Sequence, residues 1–199
     1  MKYGFITVAT PAAGNVVTLA EAGDQVSAFQ TSESPISYGD EDDRLNHAIA
    51  AAEDFIESIC WFTLLDAVFE WRIDRLPTGS KPVTLPKNPV SSVTSVAVTK
   101  SDGTIESVTP RVIKSKHQTI ILPPANETWP ASRGDEGDVV VTFNAGFADA
   151  ASVPKALKQA VLLSIGTFYE HRESEIVGTI TNELKAARAL AWSQRNLYR

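Results

Sequence analysis

The hydrophobic period of the sequence changes twice along the chain, and this constrains the fold more than any other feature. Apolar residues recur with helical spacing from about 41 to 60, alternate with polar residues between 62 and 147, and regain helical spacing from 152. A period near 3.6 indicates an amphipathic helix, and a period of 2 indicates a strand with one buried face. We therefore expect an α+β fold in which an antiparallel helical bundle is interrupted by a β-strand insertion.

Start signals support the first two helices of this bundle. Thr18 and Glu21 have the spacing of a capping box, in which each side chain satisfies the other's backbone N–H, so a helix should run to about Phe29. The acidic run at 40–43 precedes the helix expected over 41–60. Negative charge stabilises this end of a helix because the backbone dipole is positive there.

Two further helices are expected in the C-terminal quarter. Ser152 is a good N-cap residue and Pro154 suits a first helical position, which predicts a helix that ends near Glu173. A loop follows over 174–181, and a final helix is expected over 182–199. Its apolar stripe is thin, so it is a poor candidate for the core, and we interpret it as an extended docking helix.

The central region reads as an antiparallel β module. Trp71 and its neighbours alternate between apolar and polar, which is typical of a half-buried strand. Ser101-Asp102-Gly103 predicts a hairpin because glycine accepts the positive φ that such turns need. The segment 2–9 is expected to be a strand or extended arm. Further strands are expected at 93–100, 104–108, 111–114, 119–122 and 138–144.

These patterns divide the chain into four segments. Residues 1–62 should form an N-terminal arm and helices of the core, and 63–148 the antiparallel β insertion. Residues 149–173 should return to the core as a helix. The loop and docking segment would occupy 174–199.

Charge is distributed unevenly. The formal net charge is -6, which argues against a broad basic face for gripping nucleic acid. Residues 21–57 hold ten acidic side chains against Arg44 alone, whereas 182–199 hold four basic side chains against one acidic one. One end of the sequence is acidic and the other is basic.

The single cysteine and the hydropathy limit the compartment. Cys60 allows neither an intrachain disulfide nor a cysteine zinc site, which indicates a reducing compartment, and it is interpreted as a small buried residue at a helix end. No apolar run reaches the roughly 20 residues that span a bilayer. The N-terminus lacks the layout of a signal peptide. We expect no membrane partner.

The sequence carries no catalytic signature. His47, His117 and His171 lie on separate elements without the spacing of metal ligands. Phosphate loops, dinucleotide fingerprints and nucleophile elbows are absent from the sequence. We expect a protein with no catalytic residue, no cofactor and no metal. A pair of carboxylates in the β region stays open as the basis of an alternative, a cell-wall glycan hydrolase.

The four tryptophans call for separate interpretations. Trp61 and Trp71 are expected in the core. Trp129 lies in a loop or strand edge, where it is a candidate subunit–subunit contact. Trp192 stands in a polar segment that offers little to bury it, and tryptophan is enriched at interface hot spots. A tail that folds back on its own helices is the alternative for Trp192.

Several strings, in this order, resemble the head-tail connector (adaptor) family of long-tailed phages and gene transfer agents. The resemblance covers nearly the whole chain. The matching strings are Ile6-Thr7-Val8, 16–21, Asp42-Asp43-Arg44-Leu45, 49–57, 85–93, Trp129-Pro130, 139–147, 153–160 and the helix end Phe168-Tyr169-Glu170-His171-Arg172-Glu173.

The resemblance implies a structural virion protein in the neck, assembled in the host cytoplasm. Members form a ring, expected to be twelvefold, beneath the portal, and double-stranded DNA passes through it. They dock a C-terminal segment on the portal protein and present the other side to a stopper or tail-completion protein. The residues expected to dock on the portal are Lys185, Arg188, Trp192, Arg195, Leu197 and Tyr198.

The acidic net charge suits a ring through which DNA passes. A DNA channel should repel phosphates, since each neutralised phosphate adds salt-sensitive affinity that slows passage. We hypothesise that the acidic N-terminal half contributes to the channel or the outer wall. A stopper or tail-completion protein would share this composition and is the other virion alternative.

Overall fold

The chain divides into two compact units. The computed structural model describes residues 4–27, 38–115, 118–170 and 180–194. A β unit comprises Met1–Ala13, Leu65–Ala148 and Asn196–Arg199, and a helical unit comprises Gly14–Leu64 and Asp149–Arg195. Helices and antiparallel sheets together confirm the α+β class. The division into four segments and the antiparallel bundle stay predictions.

The helical unit contains four described helices, and α3 contacts the other three. These are α1 (Leu19–Ser27), α2 (Tyr38–Cys60), α3 (Lys155–Glu170) and α4 (Ile180–Ser193). The second begins three residues before the expected position and the last begins two residues before it. Residues 195–199, the end of the expected final helix, lie outside the described residues.

Local signals account for the helix starts. The capping box is present: the Thr18 N–H donates to Glu21 Oε2 at 3.0 Å, and the Glu21 N–H donates to Thr18 Oγ1 at 3.2 Å. The Pro154 carbonyl accepts the Lys158 N–H at 3.1 Å. α3 therefore begins at Lys155, just after the proline and one residue later than expected.

The end of α2 is marked by two residues. Cys60, its last residue, is fully buried, which confirms the interpretation of this thiol as a packed apolar group. Trp61 follows with a left-handed φ of 61° and donates its N–H to the Glu57 carbonyl at 3.0 Å, an arrangement that ends helices. Its side chain is half-buried, so the expected core position is only partly met.

The prediction that the last helix would be a poor core element was wrong. Ala187 and Ala191 of α4 are fully buried, and α4 packs against α3 and α2. A thin stripe is sufficient because alanine side chains are short and let two helices approach closely. The two alanines are one helical turn apart and so share one face.

The β unit contains a five-stranded sheet, in the order β1-β2-β8-β4-β5, and a three-stranded sheet, in the order β3-β7-β6. Neighbouring strands are antiparallel throughout. The strands are β1 (Phe5–Thr10), β2 (Ala67–Ile73), β3 (Val83–Thr84), β4 (Val90–Thr99), β5 (Ile105–Val108), β6 (Arg111–Lys114), β7 (Thr119–Leu122) and β8 (Val139–Ala145).

The hairpin between β4 and β5 has the expected turn. Gly103 has a φ of +82°, and the Lys100 N–H donates to the Thr104 carbonyl at 2.8 Å. Asp102 Oδ1 accepts from the Thr104 hydroxyl at 2.6 Å and from the Thr104 N–H at 2.9 Å. The bond from the Thr104 hydroxyl is the largest cause that lowers the pKa of Asp102, followed by the bond from the Thr104 N–H.

The core of the β unit forms from the inward residues of β2, β4 and β8, together with Val83 of β3, Val108 of β5 and Ile121 of β7. Phe69 and Phe143 stack with ring centroids 5.8 Å apart, on strands that are directly paired. Trp71 is partly buried and packs against the same cluster, as expected from its alternation. The cluster holds the central strands of the five-stranded sheet together.

Candidate docking surface

The exposed face of α4 carries three of the residues expected to dock on a partner. Lys185, Arg188 and Trp192 are exposed, on the helix that Ala187 and Ala191 attach to its unit. The Trp192 side chain is 59% exposed. α4 therefore presents an indole and two cations outward. Arg195, Leu197 and Tyr198 lie outside the described residues.

Arg188 is also held within the helical unit. Its guanidinium lies 5.7 Å from the ring centroid of Phe55 on α2, and Phe55 meets Phe168 of α3 edge to face with centroids 5.7 Å apart. A cation over an exposed aromatic ring contributes roughly 0.5–1 kcal/mol. The contact favours one position of the guanidinium above the Phe55 ring.

Trp129 lies in the β unit and is 5% exposed. Its Nε1 donates to the Lys81 carbonyl at 2.9 Å, and its backbone N–H donates to the Gly79 carbonyl at 3.1 Å. The indole is covered and its polar atom is satisfied within its own chain. We therefore do not propose Trp129 as a subunit contact.

An open hollow of about 330 Å³ lies between α2 and α3. Its lining combines small, aromatic and basic residues: Arg44, His47, Ala48, Ala51, Phe168 and Tyr169. The hollow could not be predicted from the sequence, because α2 and α3 are about a hundred residues apart. His47 lies there, whereas His117 and His171 lie outside the described residues.

All of the net negative charge belongs to the helical unit. Within it, residues 14–64 carry ten acidic and one basic side chain, and 149–195 carry five acidic and six basic ones, a net charge of −8. Residues 65–148 of the β unit carry nine of each sign. The helical unit would therefore repel a DNA backbone, apart from the basic surface of α4.

Two carboxylates of α2 accept hydrogen bonds from the backbone of the segments before α1 and after α2. Glu53 Oε1 accepts the Val16 N–H at 2.6 Å, and Glu57 Oε1 accepts the Leu64 N–H at 2.7 Å. Burial raises the pKa of Glu53, and the neighbouring charge of Glu57 adds to that rise. These carboxylates serve as backbone acceptors inside the unit.

A salt bridge joins α1 to α3. Lys158 Nζ lies 2.7 Å from Glu21 Oε1. The hydrogen bond from Lys158 is the largest cause that lowers the pKa of Glu21, followed by the backbone N–H of Thr18. Glu21 thus serves both the capping box and the contact between two helices.

Within the described ranges, no group of three or more His, Cys, Asp or Glu side chains is placed to hold a metal ion. None of the helices in the described part of the chain is long and apolar enough to cross a membrane.

Solved structures of gene transfer agent particles contain chains with a similar fold. A chain in "Neck of empty GTA particle computed with C6 symmetry" is similar with a TM-score of 0.79 and 23% identity, and the match covers 98% of this chain and 97% of that one. A chain in "Virion of native gene transfer agent (GTA) particle" gives a TM-score of 0.77 and 24% identity, with the same coverage. The fold is that of a gene transfer agent neck protein.

A third similar structure comes from the same kind of particle. A chain in "Neck of native GTA particle computed with C12 symmetry" matches with a TM-score of 0.71 and 23% identity, over 98% of this chain and 97% of that one. No protein-family model matches the chain, and no curated protein matches it in sequence. The neck-protein fold extends over both units, since the matches cover nearly all of the chain.

Proposed function

We propose that this chain is a structural subunit of a virion neck, a head-tail connector that forms a ring under the portal and lets double-stranded DNA pass. The observation that carries the proposal is the shared fold over 98% of the chain with a protein of a gene transfer agent neck. The role is structural, with no catalytic residue and no cofactor. A stopper or tail-completion protein would occupy the side opposite the portal.

The surface proposed to bind the portal is the exposed face of α4. Ala187 and Ala191 attach the helix to its own unit, and Lys185, Arg188 and Trp192 on the same helix are exposed. Tryptophan and arginine are enriched among the residues that dominate binding energy at interfaces. Arg195, Leu197 and Tyr198 lie outside the described residues and stay part of the proposed docking set from the sequence alone.

Charge supports the passage of DNA through the ring. The helical unit has a net charge of −8, and its basic side chains are concentrated at its C-terminal end. A wall that neutralises few phosphates releases few counterions and therefore holds DNA weakly. In this arrangement the acidic wall lets DNA pass, and the basic docking helix binds the portal.

The proposal is tested by binding to purified portal rings of the same particle. Trp192→Ala should weaken co-sedimentation with the portal at least tenfold, because truncation of an interface hot spot costs about 2 kcal/mol or more. Ile113→Ala is the matched control, since Ile113 of β6 is 53% exposed and lies outside the proposed surface. Undiminished binding of the Trp192→Ala variant would reject α4 as the docking surface.

Point variants are preferable to removal of the whole segment. Deletion of 182–199 would also remove Ala187 and Ala191, which are buried against α3 and α2. Such a deletion would expose apolar surface within the helical unit and impair folding. A loss of binding by that variant would not distinguish docking from misfolding.

A further inference from the structure

The large apolar side chains most exposed in the described part of the β unit all lie on edge strands. Phe5 and Val8 lie on β1, Ile105 on β5 and Ile113 on β6. β1 and β5 are the two edges of the five-stranded sheet, and β6 is an edge of the three-stranded one. Edge strands present backbone groups that can pair with another chain. The exposed apolar side chains thus lie where a strand can be added.

The edge strands differ in how well they are protected against pairing with another chain. β6 carries Arg111 and Lys114 within four residues, and charged side chains on a short strand are a common protection against unwanted pairing. β5 carries Glu106, but Lys100 neutralises it at 2.6 Å. β1, Phe5–Thr10, has no charged residue. The least protected edge is therefore β1, and β5 is its counterpart at the other side of the same sheet.

The regular parts of β1 and β5 have the same length. Phe5–Val8 pairs residue by residue with β2, and the register shifts only between Val8 and Thr10. β5 consists of the four residues Ile105–Val108, which pair in regular register with β4. Four residues of each edge can therefore form a regular ladder.

Phe5 of β1 and Ile105 of β5 share a face of the sheet, whereas Val8 lies on the other face with Ile6. Ile6 packs against the core cluster and Val108 is part of it. Because side chains alternate along a strand, Phe5 and Ile105 lie on the face opposite the core. The addition of β1 to β5 would bring Phe5 of one copy close to Ile105 of the next.

We propose that β1 of one copy adds to β5 of the next, so that the five-stranded sheet continues from subunit to subunit around the ring. The inference rests on the proposed ring and specifies its subunit contact. Every neighbouring pair in the sheet is antiparallel, so the first and fifth strands run in the same direction. The junction between copies is therefore parallel.

A second copy of this chain is the partner for these edges, because one contact between copies covers both β1 of one copy and β5 of the next. A foreign strand on β1 would leave Ile105 exposed, and a dimer through two β1 strands would do the same. Four paired residues bury far less than the roughly 800 Å² per partner of a stable complex. An isolated pair should dissociate, whereas each copy in a closed ring makes the contact twice.

The dimensions of such a sheet suit a ring of moderate size. Strands lie about 4.8 Å apart, so five strands contribute about 24 Å per copy. Twelve copies, the symmetry used for one similar neck, would give a circumference of about 290 Å and a diameter of roughly 90 Å. Because the sheet has an odd number of antiparallel strands, its two edge strands run in the same direction. Copies can therefore repeat edge to edge in a cyclic, head-to-tail assembly.

Charge insertion at the edges tests the contact. Phe5→Lys and Ile105→Lys each place a cation on an exposed edge position, so folding should be retained while ring assembly on portal rings falls at least tenfold. Ile113→Lys makes the same change on β6 and should assemble like the wild type. Assembly is measured by electron microscopy, and folding by the melting temperature. Rings of normal yield from Phe5→Lys would overturn the inference.

Cysteine cross-linking gives the pairing directly. Phe5→Cys combined with Ile105→Cys should produce, on oxidation, a ladder of multimers up to the closed ring, with Ser107→Cys as the alternative partner one register step away. Dimers from Phe5→Cys alone, or a ladder only with Ile113→Cys, would overturn the proposed pairing. So would the absence of cross-links in rings that assemble normally. Wild-type chain that fails to join portal rings would instead reject the proposed function.

Discussion

The Glu53 carboxylate accepts the Val16 backbone N–H at 2.6 Å, which attaches the segment before α1 to the middle of α2. The carboxylate is largely enclosed, and burial outweighs this hydrogen bond, so the pKa of Glu53 is raised. A group with a raised pKa stabilises the fold below its unfolded pKa, and that contribution is lost as pH rises through the folded value. Ionised Glu53 is therefore a source of instability at neutral pH.

Glu53→Gln should raise the melting temperature at pH 7 by about 2 °C. Glutamine keeps a carbonyl acceptor for the Val16 N–H while it removes the buried charge and its repulsion with Glu57. The gain should shrink as the pH falls through the raised pKa of Glu53 and vanish below the ordinary glutamate pKa, because the wild-type carboxyl is then neutral in both states. Asp43→Asn, at the exposed start of α2, removes the same charge and should not stabilise. A lower melting temperature for Glu53→Gln at pH 7 would contradict this account.

Lys158→Met should cost less than about 1 kcal/mol of the free energy of unfolding, because the Lys158–Glu21 pair is partly exposed to solvent. The pKa of Glu21 is lowered by this contact. Its contribution is thus present above the unfolded pKa and is lost as pH falls through the folded one. A double-mutant cycle with Glu21→Gln, measured by urea unfolding at pH 7 and pH 3, checks the coupling. Equal coupling at both pH values would contradict the ion pair.

Ala187→Leu should destabilise the helical unit by about 1–3 kcal/mol, because a larger side chain does not fit where α4 meets α3 and α2. Ala189→Leu is the matched control, since Ala189 is an exposed alanine of the same helix. Chemical denaturation of the two variants checks the difference. A control that is as unstable as Ala187→Leu would show that helix propensity, and not packing, is responsible.

Trp129→Phe should destabilise the β unit by about 1–3 kcal/mol, because the Lys81 carbonyl loses its donor inside the fold. Ring assembly of the surviving folded fraction should be unchanged, since the indole faces its own chain. Trp192→Phe, at the exposed position, should leave the free energy of unfolding within about 0.5 kcal/mol of the wild type. If Trp129→Phe instead prevented assembly without loss of stability, Trp129 would be a subunit contact after all.

Local features of this fold were predictable from the sequence. The capping box of Thr18 and Glu21 and the turn at Gly103 depend on residues a few positions apart, so their spacing carries the information. The strands Arg111–Lys114 and Thr119–Leu122 were expected with these bounds. Period and turn chemistry are local properties, and the elements that depend on them were correctly predicted.

Features that depend on distant residues were not predictable. β1 pairs with β2 across more than sixty residues, as in Phe5↔Arg72, and β8 lies between β2 and β4 although it follows both in sequence. The two-residue strand β3 carries no pattern of its own. The burial of Ala187 and Trp129 also depends on which elements approach them, so neither could be placed in the core from the sequence.

The most direct test of the neck assignment is electron microscopy of purified portal rings mixed with the full-length chain. The account predicts an additional ring with cyclic symmetry on one end of each portal, with an open axial channel. Portal rings that remain bare at saturating concentrations of the chain, or a chain that binds tail tubes and not portals, would contradict it.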